Sequence, residues 1–121
     1  MNLVDIHCHL NQKLFEKDLD DVIKRAKKVG VKAIIASGTN PLANKEILKL
    51  AEKDEIIKAS LGIHPIDALG LSEGETGISK PEGKIDLEKE FELIEKNKDK
   101  IVAIGEIGLD RTYIDSEEEW N

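Results

Sequence analysis

With 121 residues, 40% of them hydrophobic and 36% charged, the chain has the composition of one folded domain and not of a disordered segment. No apolar run approaches the ~20 residues that span a bilayer, and Met1–Ile6 lacks the basic flank and apolar length of a signal peptide, so no membrane partner is expected. A net charge of −7 argues against a basic nucleic-acid groove: the 18 lysines and arginines are mixed with acids, and Lys24–Lys28 reads as a solvated helix face.

Short apolar runs alternate with amphipathic stretches along the chain. Leu3–Ile6 predicts a first strand. Leu14–Val29 predicts a helix, with Phe15, Leu19, Val22, Ile23, Ala26 and Val29 on its inner face. Gly30 then ends it, because glycine tolerates positive φ. Lys32–Ala36 is almost continuously apolar, as a strand buried on both faces should be. Asn40-Pro41 pairs an N-cap with a first-turn proline and opens a helix to about Lys53. Ile56–Ile63 is a third strand, and His64–Lys84 a long loop rich in Gly, Ser and Glu. Asp86 caps a third helix with Leu87, Phe91 and Ile94 inward, and Ile101–Ile107 is a fourth strand. Ser116-Glu117-Glu118-Glu119 has the form of a capping box, so a further helix is expected to open there, cut short after Trp120 and Asn121.

This β-α-β-α-β-α-β order implies parallel strands joined by right-handed crossovers. It suits a doubly wound sheet and a barrel equally well.

Three motifs carry chemistry. In Asp5-Ile6-His7-Cys8-His9, strand alternation puts His7 and His9 on one face with Asp5 behind them. Two imidazoles so placed can chelate one metal ion, more readily Zn, Mn, Fe or Co than Ca. In Gly105-Glu106-Ile107-Gly108, a glutamate stands in an apolar strand, where a metal or an arginine must compensate its burial. In Gly62-Ile63-His64-Pro65, the histidine sits where strand becomes loop, and alone it reads as a turn residue. The three motifs converge, since all fall at the C-terminal ends of parallel strands, where α/β folds place their sites. Cys8 alternates away from the histidines into the core. It cannot form an internal disulfide, which makes a reducing cytoplasm the expected location. Asp110 reads as a turn residue and Trp120 as a helix-packing residue.

Together, Asp5–Leu10, Gly62–Pro65 and Gly105–Asp110 stand in the order and approximate spacing of the TatD family. The chain resembles that family over almost its whole length, least at about Leu71 to Lys84. The resemblance implies the N-terminal half of a TIM (β/α)8 barrel, residues 1–121 forming one partial domain that stops after the fourth strand. It also implies a metal-dependent deoxyribonuclease acting on DNA or another phosphodiester with a water activated by two divalent ions of the Mg, Mn or Zn class. By position, His7 and His9 resemble ligands of one ion, and Glu106 the carboxylate bridging two. His64 resembles the histidine that contacts the phosphate or assists proton transfer. The family's later histidine and aspartate ligands have no counterpart, because no histidine follows His64. Half a site and an open apolar edge prone to self-association are therefore expected. The H-x-H motif also occurs in amidohydrolase-type C–N and lactone hydrolases, which would match less well at Gly105–Asp110. A non-catalytic half barrel is a further alternative.

Overall fold

Four strands form one parallel sheet in the order β1-β2-β3-β4 in the computed structural model, which describes residues 1–70, 77–81 and 83–111. The strands are β1 (Leu3–Cys8), β2 (Val31–Ser37), β3 (Ile57–Leu61) and β4 (Ile101–Ile104). The helices are α1 (Leu19–Val29), α2 (Pro41–Lys53), the single turn α3 (Pro65–Ala68) and α4 (Leu87–Lys96). The expected capping box and Trp120 lie outside the described residues.

Sequential strand order with every neighbour parallel belongs to a barrel; a doubly wound sheet reverses its order at a switch point. The core supports this. Ile34 and Ala36 of β2 and Ile57, Ala59 and Leu61 of β3 form one cluster with Ile23 of α1, Ile47 and Leu50 of α2, and Ile94 of α4. Alternate strand residues thus meet helices on one face of the sheet, and the other face is left for the site.

Local chemistry explains most boundaries. Gly30 ends α1 at φ 99°, in the left-handed region that glycine enters without a Cβ clash. Asn40 caps α2, its Oδ1 accepting from Leu42 N and Ala43 N, each at 3.1 Å, with Pro41 in the first turn. Asp86 caps α4 through Lys89 N at 3.2 Å.

Several expectations need correction. The predicted first helix is a 3-10 turn at Lys13–Phe15 followed by α1, because Lys13 N–H donates to Gly77 O at 3.0 Å and holds that stretch out of helical register. Val29, expected inside, is 66% exposed in the last turn of α1. The long loop contains α3, and its later part is anchored by buried Ile78, with buried Ile85 just beyond it. On α4, Leu87 is 38% and Phe91 59% exposed, while the buried stripe is Glu90, Leu93 and Ile94. The stripe is set by Glu90, which bonds to α2. Leu87 and Phe91 fall to its flank, beside the edge strand β4. Finally, β3 stops at Leu61 and β4 at Ile104, so Glu106 lies beyond its strand, for reasons that belong to the site.

Candidate metal centre

His7 is the penultimate residue of β1 and His9 follows the strand directly, two positions on, so the two imidazoles come to the same side of the strand end. The His7 backbone N–H donates to Asp5 Oδ1 at 3.1 Å, which steadies the strand end. His9 is the better held of the pair. Its Nδ1 lies 2.9 Å from the carbonyl oxygen of Ser37, an atom that can only accept, so Nδ1 carries the proton and Nε2 presents its lone pair. The rings meet edge to face with centroids 5.0 Å apart.

Glu106 arrives from the other end of the chain. After Ile104 the backbone leaves the β3–β4 ladder. Gly105 N still donates to Leu61 O at 2.9 Å, but Glu106 N crosses the sheet end to Gly38 O at 3.2 Å. Ser60 Oγ donates to Gly105 O at 3.1 Å and holds the crossing peptide from β3. The carboxylate then lies with Oε1 3.2 Å from His7 Nε2 and 3.9 Å from His9 Nε2.

Among the described residues, His7, His9 and Glu106 are the group whose ligand atoms all lie within 4.8 Å of one another. Two nitrogen or oxygen ligands at roughly 2.1 Å from one tetrahedral ion stand roughly 3.4 Å apart. The two histidine–carboxylate separations, 3.2 and 3.9 Å, bracket that value. The second carboxylate oxygen, Glu106 Oε2, is buried and has no hydrogen-bond partner among the described residues. An orphaned carboxylate oxygen is costly to bury, by about 1–3 kcal/mol or more. A divalent cation supplies what these atoms lack, so the residues fit a metal.

His64 stands apart from this trio. It precedes α3, half-buried, and its backbone N–H donates to Thr39 O at 2.7 Å. It therefore sits at the same end of the sheet without joining the ligand cluster. Cys8 turns the other way, as expected: it packs against the core with Sγ 3.7 Å from Ile35 O, and burial pushes its thiol up to about 12 from 9.0. Asp110, read as a turn residue, is half-buried and not without a partner.

Sequence reasoning missed the residues that hold this site from behind: Ser37, Gly38, Thr39, Asn44 and Ser60; Gly62 stood in a motif, but not for its contact with the Glu106 peptide. The one available signal is the run of small polar residues Ser37-Gly38-Thr39-Asn40 after an apolar strand.

Comparison with known proteins shows the family. A family model described as "TatD related DNase" matches residues 4–121. The chain is 37% identical over 111 residues to the deoxyribonuclease TATDN3 of Homo sapiens, covering 91% of this chain and 39% of that protein. It is 32% identical over 108 residues to the 3'-5' ssDNA/RNA exonuclease TatD of Salmonella typhimurium, covering 89% and 36%. The crystal structure of the TatD homolog YjjV from Escherichia coli K12 is similar with a TM-score of 0.68 and 32% identity, over 97% of this chain and 40% of that one. The chain thus spans about two fifths of the length of these relatives.

Proposed function

Because the chain belongs to the TatD related DNase family, we propose that it carries part of the active centre of a metal-dependent deoxyribonuclease. Residues 1–121 are read as one partial barrel domain. The observation that carries the reading is the His7–His9–Glu106 cluster with its orphaned Glu106 Oε2.

In this reading His7, His9 and Glu106 would hold one divalent ion, of the Mg, Mn or Zn class. Glu106, whose Oε2 has no hydrogen-bond partner among the described residues, is the residue that would also serve a second ion. The chemistry such ions supply when bound is a lowered pKa for water and neutralised charge on a phosphate. Ser37 O, accepting from His9 Nδ1, favours the tautomer whose Nε2 can act as a ligand. His64 would hold a proton on its imidazole for a phosphate or leaving oxygen, from a backbone anchored at Thr39. With a net charge of −7, the chain needs the ions to attract a polyanion. DNA is the substrate favoured by the names of the relatives. Half-buried, unpaired Cys8 suits a reducing cytoplasm, and among the described residues no helix is long and apolar enough to cross a membrane. The apolar β1 and β4 edges would favour self-association.

The test is cleavage of a single-stranded oligonucleotide with added Mg²⁺, Mn²⁺ or Zn²⁺, by this chain alone and by a chain extended past Asn121. Metal-dependent cleavage that disappears in Glu106→Gln supports the reading. If no form cleaves DNA but one opens a lactone or cyclic amide, the amidohydrolase-type alternative replaces it.

A further inference from the structure

Three consecutive carbonyls hold the three parts of the site. Ser37 O accepts from His9 Nδ1 at 2.9 Å, Gly38 O from Glu106 N at 3.2 Å, and Thr39 O from His64 N at 2.7 Å. The turn after β2 is therefore a template for residues that come from β1, from the chain after β4, and from the start of α3. None of its own side chains is among the candidate ligands. A template of backbone carbonyls is only as good as whatever fixes its backbone.

Gly38 N donates to Ser60 O at 2.9 Å, and one buried side chain packs against Gly38 from α2. Asn44, in the first turns of α2, is fully buried. Its Oδ1 accepts from Gly62 N at 3.2 Å, and its Nδ2 donates to Gly62 O at 2.9 Å and to Glu90 Oε1 at 2.6 Å. Both amide protons and the carbonyl are thus used, and the buried Glu90 carboxylate fixes the direction of the amide. The two glycines that Asn44 touches have no room to spare. A Cβ on Gly38 would collide with the Asn44 side chain. A Cβ on Gly62 would stand 2.5 Å from Glu106 O and 2.6 Å from Glu106 N. Gly38 bonds to Glu106 from one side and Gly62 packs flat against its peptide from the other, and Asn44 grips the second while wedging the first.

We propose that Asn44 is a positioning residue: through Gly38 and Gly62 it sets the Gly105–Glu106 peptide, and so places the Glu106 carboxylate opposite His7 and His9 before any ion arrives. This rests on the metal-centre reading and adds to it a residue that touches neither ion nor substrate. Residues that orient ligands from behind typically change metal affinity about 10- to 100-fold when lost.

Two readouts on the 121-residue chain test it. Amide hydrogen exchange of the metal-free chain reports the Glu106 N–H and His64 N–H bonds directly. Visible absorption during Co²⁺ titration reports affinity and ligand geometry. In Asn44→Ala, the Glu106 amide is expected to exchange at least about tenfold faster relative to the β2–β3 ladder, with Co²⁺ bound at least about tenfold more weakly and with an altered spectrum. Ile47→Val, a core change in the same helix, should move all amides together and leave the Co²⁺ spectrum unchanged. If Asn44→Ala does not fold, Gly38→Ala gives the decision by the same measurements. Wild-type protection of Glu106 and wild-type Co²⁺ affinity in a folded variant overturn the proposal. If the unsubstituted chain fails to bind Co²⁺, the metal reading falls, and the exchange data still decide whether Asn44 sets Glu106.

Discussion

Nε2 of His7 lies 3.2 Å from Oε1 of Glu106, although His7 belongs to β1 and Glu106 follows β4, the strands at opposite edges of the sheet. In a flat sheet with roughly 4.8 Å between neighbours, strands one and four would stand about 14 Å apart. The contact is made beyond the strands: after β4 the chain crosses the sheet end, where Glu106 N donates to Gly38 O at 3.2 Å, and the two side chains span the remaining distance.

The first prediction concerns the ion that this contact would admit. A ligand that binds only the folded state stabilises it by about 2.7 kcal/mol at a hundred times its dissociation constant. Zn²⁺ or Mn²⁺ should raise the Tm of the chain, and a chelator should reverse the rise. Glu106→Gln keeps the shape but removes the charge. It should abolish the shift while raising the metal-free Tm or leaving it unchanged, since a partly buried negative charge is removed. Calorimetry with and without metal checks both. A Tm rise that survives Glu106→Gln would place the ion elsewhere.

A second prediction follows from Cys8. Burial, with Asp5 adding a smaller contribution, pushes its thiol up to about 12 from 9.0. Folding therefore favours the protonated thiol. The stabilisation is fully present below pH 9 and is lost as pH climbs through 9 toward 12, because only the unfolded chain ionises there. Urea midpoints at pH 8 and pH 10.5 should fall further apart in the wild type than in Cys8→Ala. The same burial should make the native thiol react at least about tenfold more slowly with a disulfide reagent than the thiol in urea.

What the sequence showed depended on range. His7 and His9 were legible because strand alternation puts i and i+2 on one face whatever the rest of the fold does. Gly30, Asn40 and Asp86 were legible because helix ends are satisfied within a few residues. Asn44 was invisible because its partners, Gly62 and Glu90, are distant in sequence and two of its three bonds go to backbone. Phe91 was misplaced for a related reason: an apolar residue at helical spacing reads as buried, and only the tertiary partner of Glu90 shows which way α4 is rolled. Periodicity left barrel and doubly wound sheet open; the resemblance carried by the three motifs implied the barrel, and the sequential strand order agrees.

Asn40 yields a third prediction. It is 1% exposed, and it caps α2 twice while its Nδ2 donates to Asp67 Oδ2 at 3.1 Å and Ser79 O at 3.0 Å. Loss of an N-cap costs about 1 kcal/mol, and stranding the buried Asp67 carboxylate adds about 1–3 kcal/mol. Asn40→Ala should lower stability by about 2–4 kcal/mol in urea unfolding. Asp86→Ala removes an exposed cap at the start of α4 and should cost clearly less. Equal losses would mean that the bonds to Asp67 and Ser79 contribute nothing.

The last prediction concerns the edges of the sheet. Ile6 on β1 is 74% exposed; Val102 and Ile104 on β4 are 56% and 62% exposed, with Phe91 at 59% and Ile107 at 68% nearby. Side chains of this kind normally line a core, and edge strands offer unpaired backbone as well. Left uncovered, the two edges should drive the 121-residue chain to associate as its concentration rises. Ile104→Lys places a charge at the centre of the β4 patch without touching the buried cluster, so it should leave the thermal transition almost unchanged and shift the chain toward monomer. Sedimentation across a hundredfold concentration range would show this. A wild-type chain that stays monomeric throughout means that the exposed apolar edges do not self-associate, and the self-association reading would then be abandoned.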